Sequence, residues 1–137
     1  RDALKALARG AENIDFRWHL SSLPAIAYEL VNADALVLSS YRFDSQALVI
    51  TEAVAAGLPV LYCDDRLTVG LSEQSALHVE PDVSSLARGF RALMDPARRS
   101  AMSAASARLL PDLGPERTAE RYVEAYRDLI EREATRG

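Results

Sequence analysis

The sequence predicts an α/β fold: a doubly wound, Rossmann-like parallel sheet of about four strands, with helices on both faces and a helical C-terminal third. Three observations predict it. Short apolar runs alternate with stretches of helical period as far as Val79, and such alternation implies βα crossovers and a parallel sheet. Asp34–Leu38, D-A-L-V-L, is one continuous apolar run, the pattern of a strand buried on both faces. Beyond Asp82 the apolar residues recur at helical spacing only.

Taken in order, residues 2–9 set Leu4, Leu7 and Ala8 on one side of a short helix that stops at Gly10. Ile14 to Trp18 alternates apolar and polar, as a strand does. Ser21 and Ser22 provide caps ahead of Pro24, which suits a first helical turn because its missing N–H is not needed there. That helix is expected to reach about Val31. The strand Asp34–Leu38, a loop over Ser39–Phe43, and a helix from about Asp44 to Gly57 come next. Pro59–Cys63 is the next strand, Asp64–Ser75 a polar loop around Gly70, and Ala76–Val79 a further short strand. Asp82 caps a helix whose Val83, Leu86, Ala87, Phe90, Leu93 and Met94 keep the 3-4 spacing. Asp95 before Pro96 starts another, to about Leu110. The terminal helix runs from Glu116 to about Arg132, with Tyr122, Val123, Tyr126, Leu129 and Ile130 as its buried stripe, so that helices fill 83–132.

The length of 137 residues suits one compact domain, 1–137, and is short for two. A net charge of −4 gives no nucleic acid or anionic membrane as partner, and no apolar run approaches the roughly 20 residues of a membrane span. Cys63 is the only cysteine, which excludes an internal disulfide or a zinc cluster and fits a reducing, cytoplasmic setting. Lys5 is the only lysine among many arginines, and alanine is abundant, as in proteins of GC-rich bacterial genomes. Arg1 already lies in a helical pattern with no initiator Met, so an excised or truncated segment is expected.

The stretch that organises the chain is Asp44–Pro59, D-S-Q-A-L-V-I-T-E-A-V-A-A-G-L-P. Leu48 to Ala56 is apolar nearly all round, apart from Thr51 and Glu52, so this helix belongs against a sheet. Stranding an ionised carboxylate in such surroundings costs several kcal/mol, so Glu52 needs an arginine, backbone amides, water in a cleft, or a polar ligand. Gly57 suits the left-handed residue that closes the helix. Ligands of doubly wound sheets sit beyond the carboxyl ends of the strands, where the loops begin near Trp18, Ser39 and Asp64.

This stretch resembles the E-x(7)-E signature of the retaining, nucleotide-sugar-dependent group 1 glycosyltransferases of GT-B fold, usually written E-G-F-G-L-x-L-x-E-A-M-A-x-G-x-P-V. Glu52 matches the second acidic position, and Asp44 stands where the first is normally Glu. Ala53, Gly57, Pro59 and Val60 match as well. N-I-D-F-R-W-H-L is similar to the family's N-V-x-F-x-G-x-L strand, A-D-A-L-V-L-S-S to A-D-V-F-V-x-P-S, and D-P-A-R-R-S-A-M to its closing helices. The resemblance identifies a partial C-terminal, nucleotide-sugar-binding domain. It implies two further strands upstream, between the first two present here, with an Arg/Lys pair for the donor diphosphate, and a separate N-terminal acceptor domain. A remnant sheet of this kind is expected to close its gap or to pair through its exposed strands in a dimer.

By the resemblance, Glu52 accepts hydrogen bonds from a ribose diol, and Asp44 lies near the sugar as the candidate catalytic group. The first-turn residues Ser45, Gln46, Ala47 and Leu48 offer amides to the diphosphate, since helix N-termini hold unpaired donors at the positive end of a dipole. Trp18 and His19 are candidate base or pocket contacts. No metal and no cofactor beyond the nucleotide-sugar substrate is implied. Each residue has a plainer alternative. Asp44 suits a helix N-cap, Glu52 a structural partner such as Arg42 or Arg66, Trp18 a core position and His19 an ordinary loop. Ser45 replaces a family Gly, the loop Asp64–Ser75 lacks G-G-x-P-E, and His78 is expected in solvent. The function expected is donor binding in hexosyl transfer from a nucleotide diphosphate with retention, inactive in the isolated chain. The competing expectation is a non-catalytic, degenerate binding or assembly module.

Overall fold

The structure, a computed structural model, describes residues 2–17, 19–43, 47–67 and 69–135. Three short strands form a parallel sheet in the order β1 (Leu36–Leu38), β2 (Val60–Tyr62), β3 (Ala76–His78). Leu36 stands opposite Val60, and Val60 opposite Ala76, so equivalent residues of the three strands share a face. Side chains then sort by parity. Leu36, Leu38, Val60, Tyr62 and Ala76 face one layer with Ile50, Ala53 and Val54 of α3 (Leu48–Ala55). Val37, Leu61, Leu77 and Val79 face the other with Leu86 and Leu93 of α4 (Val83–Leu93) and Met102 of α5 (Pro96–Ala107). Helices therefore cover both faces, as the alternation predicts.

The caps read from the sequence are in place where they are described. Ser22 accepts from the Ala25 amide ahead of α2 (Leu23–Val31), with Pro24 in its first turn. Asp82 accepts from the amides of Ser84 and Ser85, and Asp95 from that of Ala97. Gly57 adopts φ 74°, with Leu58 N–H on the Ala53 carbonyl and Gly57 N–H on that of Val54. This paired closure turns the chain directly from α3 into β2. Two α5 hydroxyls hold the corner: Ser103 Oγ donates to Gly57 O at 2.6 Å and Ser106 Oγ to Leu58 O at 3.4 Å.

Several expectations are corrected. The sheet has three strands among the described residues, not four. Ile14–Arg17 forms no ladder, because alternation gives a strand two faces but no neighbour to pair with, and Trp18 lies outside the described residues. β1 is half-buried instead of buried on both faces, since it stands at the sheet edge while β2 takes the centre. The helix expected to reach Leu110 ends at Ala107, and a short α6 (Leu110–Leu113) comes after it. α7 (Pro115–Ala134) buries none of its residues. Its expected core stripe of Tyr122, Val123, Tyr126, Leu129 and Ile130 is exposed, because none of these side chains meets a packed layer. The same holds for Leu4 and Leu7 of α1 (Asp2–Leu7). No described residue before Ala47 is fully buried, so the compact core is built by α3, β2 and the later elements of the chain.

Candidate functional site

α3 presents two different surfaces. Ile50, Ala53 and Val54 pack onto the sheet, and Glu52 lies on another side of the helix, half-buried. A cavity of about 340 Å³ opens beside it, between α3 and α2. Leu23, Ile26, Leu30 and Val31 line it from α2, with Ala55 and Ala56 next to Glu52. No arginine lines it. Among the described residues the Glu52 carboxylate makes no hydrogen bond and no ion pair.

Of the two arginines named as its alternative partner, Arg66 is engaged elsewhere, and Arg42 makes no ion pair among the described residues. Arg66 donates to Asp64 from Nε at 2.8 Å and from Nη2 at 2.5 Å, and its backbone N–H bonds the same carboxylate at 3.2 Å. The backbone N–H of Arg42 completes the set at 2.7 Å. Asp64 is only 1% exposed, yet every interaction it makes favours its charged form. The Arg66 side chain holds its carboxyl well below the usual carboxylate range against the opposing effect of burial, with the Arg66 and Arg42 amides adding to it. Asp64 thereby joins the loop leaving β1 to the loop leaving β2, two of the carboxyl-end loops of the sheet.

The other described candidates, Ala47, Leu48 and His19, do not line that cavity. Asp44, Ser45, Gln46 and Trp18 lie outside the described residues. Ala47 occupies the N-cap of α3 and no side chain caps it, so the helix begins later than the sequence suggests. Ala47 is buried with its carbonyl on the Ile50 amide, whereas Leu48 opens the helix and is 69% exposed. Only Leu48, of the four residues proposed for the first turn, is described there. His19 is exposed in the loop before α2 and does not line the groove. His78 is exposed, as expected, but not isolated. Its Nε2 is 3.2 Å from the Cys63 carbonyl oxygen, and its ring lies 5.1 Å from that of Tyr62. Cys63 is buried, and burial first, then Glu80 and Asp82, push its thiol pKa up, so it behaves as a small hydrophobe.

Sequence reasoning missed Asp64. A signal was present, since D-D-R directly after an apolar strand places an acid at a strand end with an arginine two residues on. Nothing in that spacing shows which of the two aspartates turns inward. Among the described residues no group of three or more His, Cys, Asp or Glu is placed to hold a metal ion, and no helix is long and apolar enough to cross a membrane.

No family model matches the chain. A D-inositol 3-phosphate glycosyltransferase of Kineococcus radiotolerans is 37% identical, over 77% of this chain and 27% of that protein. A sucrose-phosphate synthase from Thermosynechococcus elongatus superposes with a TM-score of 0.77 at 23% identity, over 95% of this chain and 34% of that one. This second likeness shows a shared fold. The chain thus spans about a quarter to a third of the length of the proteins it matches.

Proposed function

Because the chain belongs to the group 1 glycosyltransferases of GT-B fold, we propose that it supplies the donor-binding half of a retaining sugar transferase. In that reaction the bond between the donor phosphate oxygen and the anomeric carbon breaks. An acceptor hydroxyl bonds that carbon on the same face, its proton passes to the departing phosphate oxygen, and a nucleoside diphosphate leaves. Glu52 is the residue that carries the reading. It stands on a helix that is apolar apart from it and Thr51, beside an open cavity, without an ion pair among the described residues. A carboxylate so placed has acceptor sites to give to the vicinal hydroxyls of a ribose. Asp44, which matches the first acidic position of the signature, is the proposed contact to the sugar.

Calorimetric titration with UDP, GDP and ADP tests this. Weak binding of one nucleotide that disappears in Glu52→Ala is expected, without transferase turnover by the isolated chain. Turnover by the isolated chain would contradict the division of labour, and no heat at millimolar nucleotide with folded protein would overturn donor binding.

One observation favours a second reading, a non-catalytic assembly module. Apart from Glu52 the groove lining is aliphatic, which suits another apolar surface better than sugar hydroxyls. In that reading the outer edge of β1, beside which no described strand lies, pairs with a second copy. Light scattering separates the two: a dimer indifferent to nucleotide supports assembly.

A further inference from the structure

The Asp64 node shares no residue with the lining of the Glu52 groove and uses its whole carboxylate on two arginines. One of them is held in an unusual way. Arg42 has φ 54°, the only positive φ of a non-glycine residue among those described. A left-handed backbone is unfavourable for a side chain with a Cβ and persists where surrounding contacts hold it. Here the Asp64 carboxylate grips the Arg42 N–H at 2.7 Å from the neighbouring loop. What this backbone presents is a cation. The Arg42 side chain is exposed, its guanidinium lies 5.3 Å from the centre of the Tyr41 ring, and it joins no ion pair among the described residues. Arg66, half-exposed, holds the same carboxylate with its guanidinium, and Asp65 is a further nearby counter-charge.

We propose that Asp64 is a positioning residue whose grip on the Arg42 backbone presents the Arg42 guanidinium, at the carboxyl end of β1, to the diphosphate of a ligand. The inference deepens the donor-binding reading and rests on it for the identity of the ligand. A guanidinium stays charged and meets phosphate oxygens with paired N–H donors, and stacking on Tyr41 restricts where it can point. A side chain fixed in this way loses less freedom on binding than one on a mobile loop.

The test titrates the nitrogen-labelled chain separately with sodium pyrophosphate, which lacks a nucleoside, and with UDP, following the Arg42 amide and Nε signals. Pyrophosphate is expected to move the Arg42 Nε signal. Arg42→Gln should weaken pyrophosphate about tenfold, while Arg42→Lys keeps part of the affinity. Asp64→Asn should weaken it in the same sense with Arg42 still present. Glu52→Ala should leave pyrophosphate unchanged and weaken UDP alone. Pyrophosphate that fails to bind, or binds Arg42→Gln as tightly as the parent chain, overturns the inference. An Asp64→Asn chain that binds normally overturns the positioning role. Arg42→Gln touches only an exposed side chain, so the test stands even where Asp64→Asn does not fold. UDP no tighter than pyrophosphate, and indifferent to Glu52→Ala, overturns the donor reading instead.

Discussion

Gly89 of α4 lies directly against Leu61 of β2: a Cβ at position 89 would stand 2.6 Å from Leu61 Cδ1. Leu61 is fully buried at the centre of the sheet and has no free side on which to yield. The missing side chain sets how closely α4 approaches. Gly89→Val is therefore expected to destabilise the fold by roughly 1–3 kcal/mol, the usual cost of overpacking. Denaturant unfolding measures it. A value near zero would show that α4 is not seated on Leu61.

The corner between α3 and β2 is held by hydroxyls from α5. Ser103→Ala removes the bond to the Gly57 carbonyl and is expected to cost about 1 kcal/mol. Ser106 is fully buried, so Ser106→Ala removes a hydroxyl whose acceptor, Leu58 O, has little access to water. Ser106→Ala should lower the denaturation midpoint at least as far as Ser103→Ala.

Glu52→Leu separates ligand from structure. With no hydrogen bond or ion pair to lose among the described residues, and an aliphatic groove to fill, the variant is expected to keep or gain up to about 1 kcal/mol of stability while nucleotide binding vanishes. A large loss of stability would mean that the carboxylate serves the fold.

Asp64 makes stability depend on acid. Its carboxyl titrates well below the usual range when folded and near 4 when unfolded. A depressed folded value gives a contribution that is complete above the unfolded pKa and is lost as pH falls toward the folded one. Asp82, held down chiefly by the Ser85 and Ser84 side chains, acts in the same sense. Unfolding midpoints should therefore fall steeply below about pH 4. The slope should be shallower in Asp64→Asn, and an unchanged slope would count against the node.

The terminal helix gives the opposite kind of prediction. Leu129 is 56% exposed, so Leu129→Glu is expected to alter stability by no more than about 0.5 kcal/mol. The loss of several kcal/mol typical of a core leucine would restore the buried stripe that its spacing suggests.

The local features were legible because their causes are local. Ser22, Asp82 and Asp95 each cap a helix through amides two or three residues away, and Gly57 closes α3 by its own backbone freedom. Glu52 stood out because one carboxylate interrupts an apolar helix. What failed depended on neighbours. Ile14–Arg17 and Tyr122–Ile130 carry the right periodicities, but a period states which residues share a face and never whether anything covers it.

By itself the sequence determined the order and type of the central elements, the helix caps, and the family signature around Glu52, since each is written in residues near one another in the chain. Only the tertiary structure decided which acid pairs with Arg66, that a cavity lies beside Glu52, and that β1 stands at an edge. Those outcomes rest on contacts between segments far apart in sequence, where burial and charge pairing are properties of the packed molecule and not of any stretch within it.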